Sequence, residues 1–281
     1  MTVKIVTDSL SDITGNLAGE LGVSVVPVYV RFGEKVYRDR IEMTTEDFYR
    51  RLVSAGVLPT TTQPSPADFL EVYNNLAQET EEILVINLSS KLSGTHESAT
   101  QAKRMFEGKA RIEVIDSGTV IMALGLVVIA AARAAQAGAS LDELMALVRS
   151  AMKRSHIIMS FDTLKYLAKG GRIGKAQGLL GSMLSIKPIL TMRDGEVYPV
   201  TRVRSRAAGM DYLYNYVAGF SKIEELAVEH ATTPEDAEQL MERLGAIFPR
   251  ERIFQSTVSP VIGTYVGPHV LSVSVLEAEK I

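Results

Sequence analysis

Cysteine is absent from all 281 residues. That absence excludes disulfides, thiolate metal sites and cysteine nucleophiles. Histidine is scarce, and the four present, His96, His156, His230 and His269, lie too far apart along the chain to form a local metal-binding motif. There is no basic surplus either: 30 Lys and Arg stand against 33 Asp and Glu, for a net charge of −3. Nucleic-acid binding, which usually shows as such a surplus, is not expected. The longest apolar run, Ile121–Ala132, has 12 residues, short of the roughly 18 that span a bilayer. The chain opens into VKIVTDS without the basic and then apolar pattern of a signal peptide. The expected location is a reducing cytoplasm.

What is present is a large supply of core. Hydrophobic residues make up 46% of the chain, and the length exceeds the common single-domain range of roughly 100 to 200 residues. The first half alternates β-branched runs, VKIVT, VSVVPVYV, ILVIN and RIEVID, with segments of helical spacing. Such alternation predicts a doubly wound, mostly parallel sheet, whose ligands bind beyond the carboxyl ends of the strands. The second half, with strand patterns KPILTM, EVYPVTRV, IEELAVEH, ERIFQST and HVLSVSV, predicts a further α/β domain. The expected division falls near residue 158, giving domains 1–158 and 159–281. Between Lys153 and Arg206 the chain carries 11 Lys and Arg against 3 Asp and Glu, either a solvated face or a docking surface for an acidic partner.

Five stretches offer candidate ligand chemistry. Thr60–Pro66, TTTQPSP, lies between two helical patterns; its two prolines predict a stiff loop that holds hydroxyls ready, with Ser65 capping the following helix. Leu88–Ala99, LSSKLSGTHESA, follows a strand and precedes a helix, an arrangement that aims backbone N–H groups at an anion. It matches neither GxxxxGK[ST] nor G-x-S-x-G, and His96 would face its own helical turn rather than act as a base for Ser93. Lys169-Gly170-Gly171-Arg172-Ile173-Gly174, with Lys175 beyond it, reads as a helix end and a basic rim, followed by a Met/Leu stripe in QGLLGSMLSIKP. Arg202-Val203-Arg204-Ser205-Arg206 closes a strand and places Arg202 and Arg204 on one face. Val261–His269, VIGTYVGPH, reads as an apolar, glycine-punctuated loop before the last strand.

In this order the pieces resemble the DegV family of bacterial fatty-acid-binding proteins. The resemblance runs through VTDS, TTTQPSP, SSKLSGTHESA, Asp116-Ser117, YLAKGGRIG, SIKPIL, RVRS and IGTYVGP, essentially the whole chain. It implies two α/β domains with a long-chain fatty acid in a tunnel between them, and a carrier with no cofactor, no metal and no catalytic residue of its own. The implied partner is a separate ATP-dependent fatty acid kinase, which makes the acyl phosphate for phospholipid synthesis. Contact with a membrane would be transient. The carboxylate-binding positions carry over to Thr61, Thr62, Ser93, Arg204 and Tyr265, and partner docking to Lys169, Arg172 and Lys175. Tyr265 stands where the family commonly has histidine, and His269 where it has glycine; a tyrosine hydroxyl donates to a carboxylate but carries no positive charge. Two other readings compete with the carrier: a binding protein for a small anion such as a nucleotide or sugar phosphate, and a serine hydrolase using Ser93.

Overall fold

The computed structural model describes residues 2–54, 58–180 and 186–279. The chain runs through β1 (Lys4–Asp8), α1 (Gly15–Leu21) and β2 (Val23–Val26). A small antiparallel sheet follows, from β3 (Tyr29–Phe32), β4 (Lys35–Arg38) and, after α2 (Thr45–Ser54), β5 (Thr60–Thr62). Then α3 (Pro66–Leu76), β6 (Glu82–Asn87), α4 (Thr95–Met105) and β7 (Arg111–Asp116) complete the first main sheet, ordered β2-β1-β6-β7 and parallel throughout. Its faces are both covered: Phe69 and Tyr73 of α3 and Ala99 and Ala102 of α4 pack on one, and the next two helices on the other. Continuous burial along Ile83–Asn87 is what a strand covered on both faces requires.

Those next helices are α5 (Ile121–Gln136) and α6 (Leu141–Arg154). The second main sheet takes β8 (Ser155–Ser160), in which residue 158 falls, then, past the short α7 (Lys165–Lys169), β9 (Lys187–Arg193) and β10 (Glu196–Val203). After α8 (Arg206–Ala218) come β11 (Ile223–His230), α9 (Pro234–Leu244), β12 (Ile253–Thr257), α10 (Pro260–Val266) and β13 (Leu271–Glu277). The order is β10-β9-β8-β13-β11-β12, antiparallel except for the β11–β12 pair. The Asp194-Gly195 pair turns β9 into β10 with φ of 51° and 79°, as a two-residue hairpin of this type demands. Outside this sheet α8 and α9 cover a second core.

The sheets share a helix. α5 packs on β1 and on β8, β11 and β13, and 12 of its residues are buried, so apolar side chains point all round it rather than along one stripe. One core consequently extends from Leu84 of the first sheet through α5 to Leu190 and Ala227 of the second. The approach is close: a Cβ on Gly125 would lie 2.5 Å from the Ser11 carbonyl oxygen.

Three expectations are corrected. VSVVPVYV is two strands in different sheets, because Pro27, which offers no N–H to a ladder, separates β2 from β3. TTTQPSP is not a loop throughout, since Thr60–Thr62 form β5 with Thr61 opposite Val30. VIGTYVGPH is not a loop either: Pro260 occupies the first turn of α10, and Gly267, at φ 77°, ends it. That helix fits because Gly263 has no side chain; a Cβ there would lie 2.5 Å from the Phe48 ring. Residues 181–185 of the Met/Leu stripe lie outside the described residues.

Gly125→Ala is expected to lower unfolding stability by about 1–3 kcal/mol through this overpacking, read as a shift in the urea midpoint. An unchanged midpoint would show that α5 and the Ser11 turn separate without cost.

Candidate functional site

Between the two main sheets lies a cavity of about 300 Å³, at the lower end of the range for small-molecule sites. Its wall is apolar apart from Thr61, Thr62, Gln63, Ser93, Arg172 and Tyr265. Leu10, Val28, Leu88 and Ile121 come from the first half of the chain, and Met159, Phe161, Met192 and Val261 from the second. Among the described residues no carboxylate and no histidine lines it.

The polar side chains are gathered at one end, although four separate segments deliver them. Thr61 sits on β5, and alternation along that strand half-buries it between the exposed Thr60 and Thr62. Tyr265 sits on α10, and its hydroxyl shares a hydrogen bond with Thr61 Oγ1. The Arg172 guanidinium lies over the Tyr265 ring, 5.2 Å from its centroid. It is anchored by donation from Nε to the Leu92 carbonyl at 3.2 Å and from Nη1 to the Gly170 carbonyl at 2.9 Å. Leu92 leads into Ser93, whose Oγ is 2.9 Å from Thr95 Oγ1 and accepts from the Thr95 N–H at 3.3 Å. Two glycines make room: a Cβ on Gly170 would lie 2.3 Å from the Tyr265 ring, and one on Gly94 would lie 2.2 Å from the Gln63 side chain.

Of the expected carboxylate-binding residues, Thr61, Thr62, Ser93 and Tyr265 line the cavity. Arg204 does not: it is exposed just past β10. The cation in the wall is Arg172, which sequence reasoning placed on the rim beside Lys169 and Lys175, both exposed. Of the other arginines in that motif, Arg206 is taken up by Asp236 and by Asp162, the latter at 3.4 Å. At the helix start after Ser93, the Thr95 N–H is already taken by Ser93 Oγ. His96 is not in the wall, and Ser93 is partnered by Thr95, so a serine hydrolase finds no base here among the described residues. Gln63 was missed, although it adjoins Thr62 in the quoted motif.

A second chamber of about 420 Å³ abuts the first and shares Thr61, Arg172 and Tyr265 with it as a partition. Its wall also includes Lys169, Thr60 and Tyr166. The hydroxyl pair and the guanidinium therefore stand between an apolar interior and a polar approach.

Architecture and cavity together define the class: a parallel and a mixed sheet that share a helix and enclose an apolar space with one hydroxyl-and-guanidinium end. The chain belongs to the DegV family, whose model, described as uncharacterised proteins of that family, matches residues 2–278. A DegV domain-containing protein of Caldanaerobacter subterraneus is 38% identical over 270 residues, 95% of each chain. A DegV family protein from Thermus thermophilus, described by its fatty acid binding, superposes with a TM-score of 0.91 at 31% identity, covering 99% of this chain and 100% of that one. DegV of Bacillus subtilis, described as a fatty acid binding protein, gives 0.90 at 28% identity with the same coverage.

The hydroxyl pair is testable by a double-mutant cycle. Thr61→Val and Tyr265→Phe, alone and combined, are expected to show a coupling of about 1 kcal/mol in urea unfolding. Strictly additive effects would mean that the two hydroxyls do not interact.

Proposed function

We propose that the cavity holds a long-chain fatty acid, with the acyl chain along the apolar wall and the carboxylate at the end formed by Thr61, Ser93, Arg172 and Tyr265. The observation that carries this reading is the one-ended polarity of the cavity. A carboxylate taken out of water needs several donors or a cation, and this end offers three hydroxyls and a guanidinium. The chain needs only apolar wall, and each buried methylene contributes about 0.8 kcal/mol. A nucleotide or sugar phosphate would leave most of its polar surface against Leu, Val, Ile and Phe side chains, which disfavours the small-anion reading. Relatives of similar fold, from Thermus thermophilus and Bacillus subtilis, are described as fatty-acid-binding.

On this reading the protein is a carrier that presents the carboxylate to a separate ATP-dependent fatty acid kinase. Access would be through the second chamber, where Lys169 stands at the approach and Lys175 further along the basic segment. Arg204 lines neither chamber and would act outside them, and Thr62, exposed at the end of β5, would act at the rim.

Organic extraction and mass spectrometry of the purified protein are expected to yield a long-chain fatty acid. Protein free of lipid that binds nucleotide instead would overturn the reading. Within it, Ser93→Ala and Arg172→Ala are expected to weaken retention of a labelled fatty acid several-fold, and Arg204→Ala less than Arg172→Ala. The reverse order would return the head-group role to Arg204. Lys169→Glu is expected to leave retention unchanged and to slow phosphorylation by the cognate kinase; equal rates would refute the docking role.

A further inference from the structure

A cleft of about 540 Å³ lies apart from the two chambers already described: it shares only Met192 with the apolar cavity and no residue with the chamber beside it. Its wall is assembled from the turn after β7 (Ser117, Gly118, Thr119), the last two turns of α6 (Arg149, Met152, Lys153), the start of β8 and the β9–β10 hairpin. The carboxyl end of a parallel strand thus opens into it, which is where sheets of this kind take ligands. The hairpin is fixed against the first main sheet by Ser89, whose Oγ donates to the Gly195 carbonyl at 2.7 Å. Both main sheets therefore contribute a wall.

Four hydroxyl side chains line the cleft, and three are spent on the protein's own backbone. Ser117 Oγ accepts from the Thr119 N–H at 3.2 Å and donates to the Thr119 carbonyl at 3.3 Å. Ser155 Oγ donates to the Ala123 carbonyl at 2.7 Å, and Thr191 Oγ1 to the Ile157 carbonyl at 2.6 Å. The fourth, Thr119 Oγ1, has no hydrogen-bond partner among the described residues, although Thr119 is only 8% exposed. A hydroxyl so far withdrawn from water ordinarily has one.

The cations show the same contrast. Arg154, which does not line the cleft, is paired with Glu224 at 2.7 Å and with Glu279 at 3.5 Å. Arg149 and Lys153 do line it, and neither has an ion pair or hydrogen bond among the described residues. Four positions apart on α6, they share one face of the helix. Lys153, in the last turn, complements the helix dipole, but Arg149 lies outside the turn over which that effect acts. His156, also in the wall, is engaged by Glu277, with Nε2 3.6 Å from Oε2. The one carboxylate in the wall is Asp194, exposed on the hairpin.

We propose that this cleft is a second binding site, for a small phosphate ester of a polyol, with the phosphate between Arg149 and Lys153 and a hydroxyl of the ligand reaching Thr119. A phosphate monoester carries close to two negative charges at neutral pH, which two unpaired cations match. The guanidinium presents its donors as a fork suited to phosphate oxygens, and the ammonium adds a point charge. A bare phosphate would leave most of the cleft to water, so the ligand brings a carbon skeleton, for which Met152, Ile157 and Met192 supply apolar wall. Asp194 selects the kind of skeleton: its carboxylate repels a second acidic group and accepts hydrogen bonds from hydroxyls.

The experiment is an amide NMR titration of the full chain at low ionic strength with glucose 6-phosphate, glycerol 2-phosphate, inorganic phosphate and glucose. At least one of the two esters is expected to produce saturable shifts at the amides of Gly118, Thr119, Ser155 and Gly195, to bind more tightly than inorganic phosphate, and to lose these shifts when replaced by unphosphorylated glucose. Arg149→Gln and Lys153→Gln, both at exposed positions without partners, are each expected to weaken ester binding about tenfold, as the loss of a charge-assisted hydrogen bond does. Thr119→Val is expected to weaken the ester several-fold and to leave inorganic phosphate unaffected. Absence of saturable shifts with both esters, shifts confined to amides away from the cleft, inorganic phosphate bound as tightly as the esters, or unchanged affinity in Arg149→Gln would each overturn the proposal. No lipid enters these measurements, so they stand or fall apart from the fatty acid reading.

Discussion

Asp12 is the point at which the three sheets are tied together. Its carboxyl group meets Arg40, which follows the small sheet, and the Ser259 N–H, which follows the second main sheet, while its carbonyl accepts from Ser256 on β12. Taking a carboxylate wholly out of water costs several kcal/mol unless it is matched in place. The segments that match it are therefore constrained to arrive together. The same constraint explains the left-handed backbone at Asp12 and Arg40, because each carries its side chain inward from a sharp reversal of the chain. With that junction fixed, α5 lies between the main sheets and the space beside it becomes the cavity.

The cavity is apolar for most of its wall because it is a gap in the shared core rather than a groove in the surface. Its walls include Leu88 just past β6, Met159 of β8 and Ile121 at the start of α5, all members of the core that elsewhere closes on itself. Only where β5, α10, the turn before α4 and the segment after α7 converge does polarity enter. These four carry Thr61, Tyr265, Ser93 and Arg172 within reach of one another. Among the described residues Arg172 is the only charged side chain in the wall, and it stands at the polar end, so that on the proposed reading such a space orients an amphiphile.

Much of this was legible in the chain. RIEVID, EVYPVTRV and IEELAVEH coincide with β7, β10 and β11, and Ser65 with Asp68 forms the capping box their spacing suggests. These signals are local, because alternation and capping depend on neighbours in sequence. Pro27 and Pro260 misled where a tertiary partner decided the outcome: β3 pairs with β4 and β5 rather than continuing β2, and α10 is held by its packing on α2. The hydroxyls of the site were readable from TTTQPSP and LSSKLSGTHESA. Arg172 was not, because nothing in KGGRIG says that its guanidinium turns back over a tyrosine 93 positions further on. The buried acids left only a faint trace, an Asp at each end of DSLSD and a Glu inside the apolar run LAVEH.

The hydroxyl pair at the cavity's polar end joins the small sheet to the helix that packs on it. Thr61 travels with the small sheet, and Tyr265 with a helix that leads into the central strand of the second main sheet. On the proposed reading an incoming acid group parts that pair and then bonds to both hydroxyls, whereas an alkane would open the same doorway and leave its two jambs unpaired. On that reading, discrimination in favour of an acid over a hydrocarbon begins at the threshold, before any part of the interior has been reached.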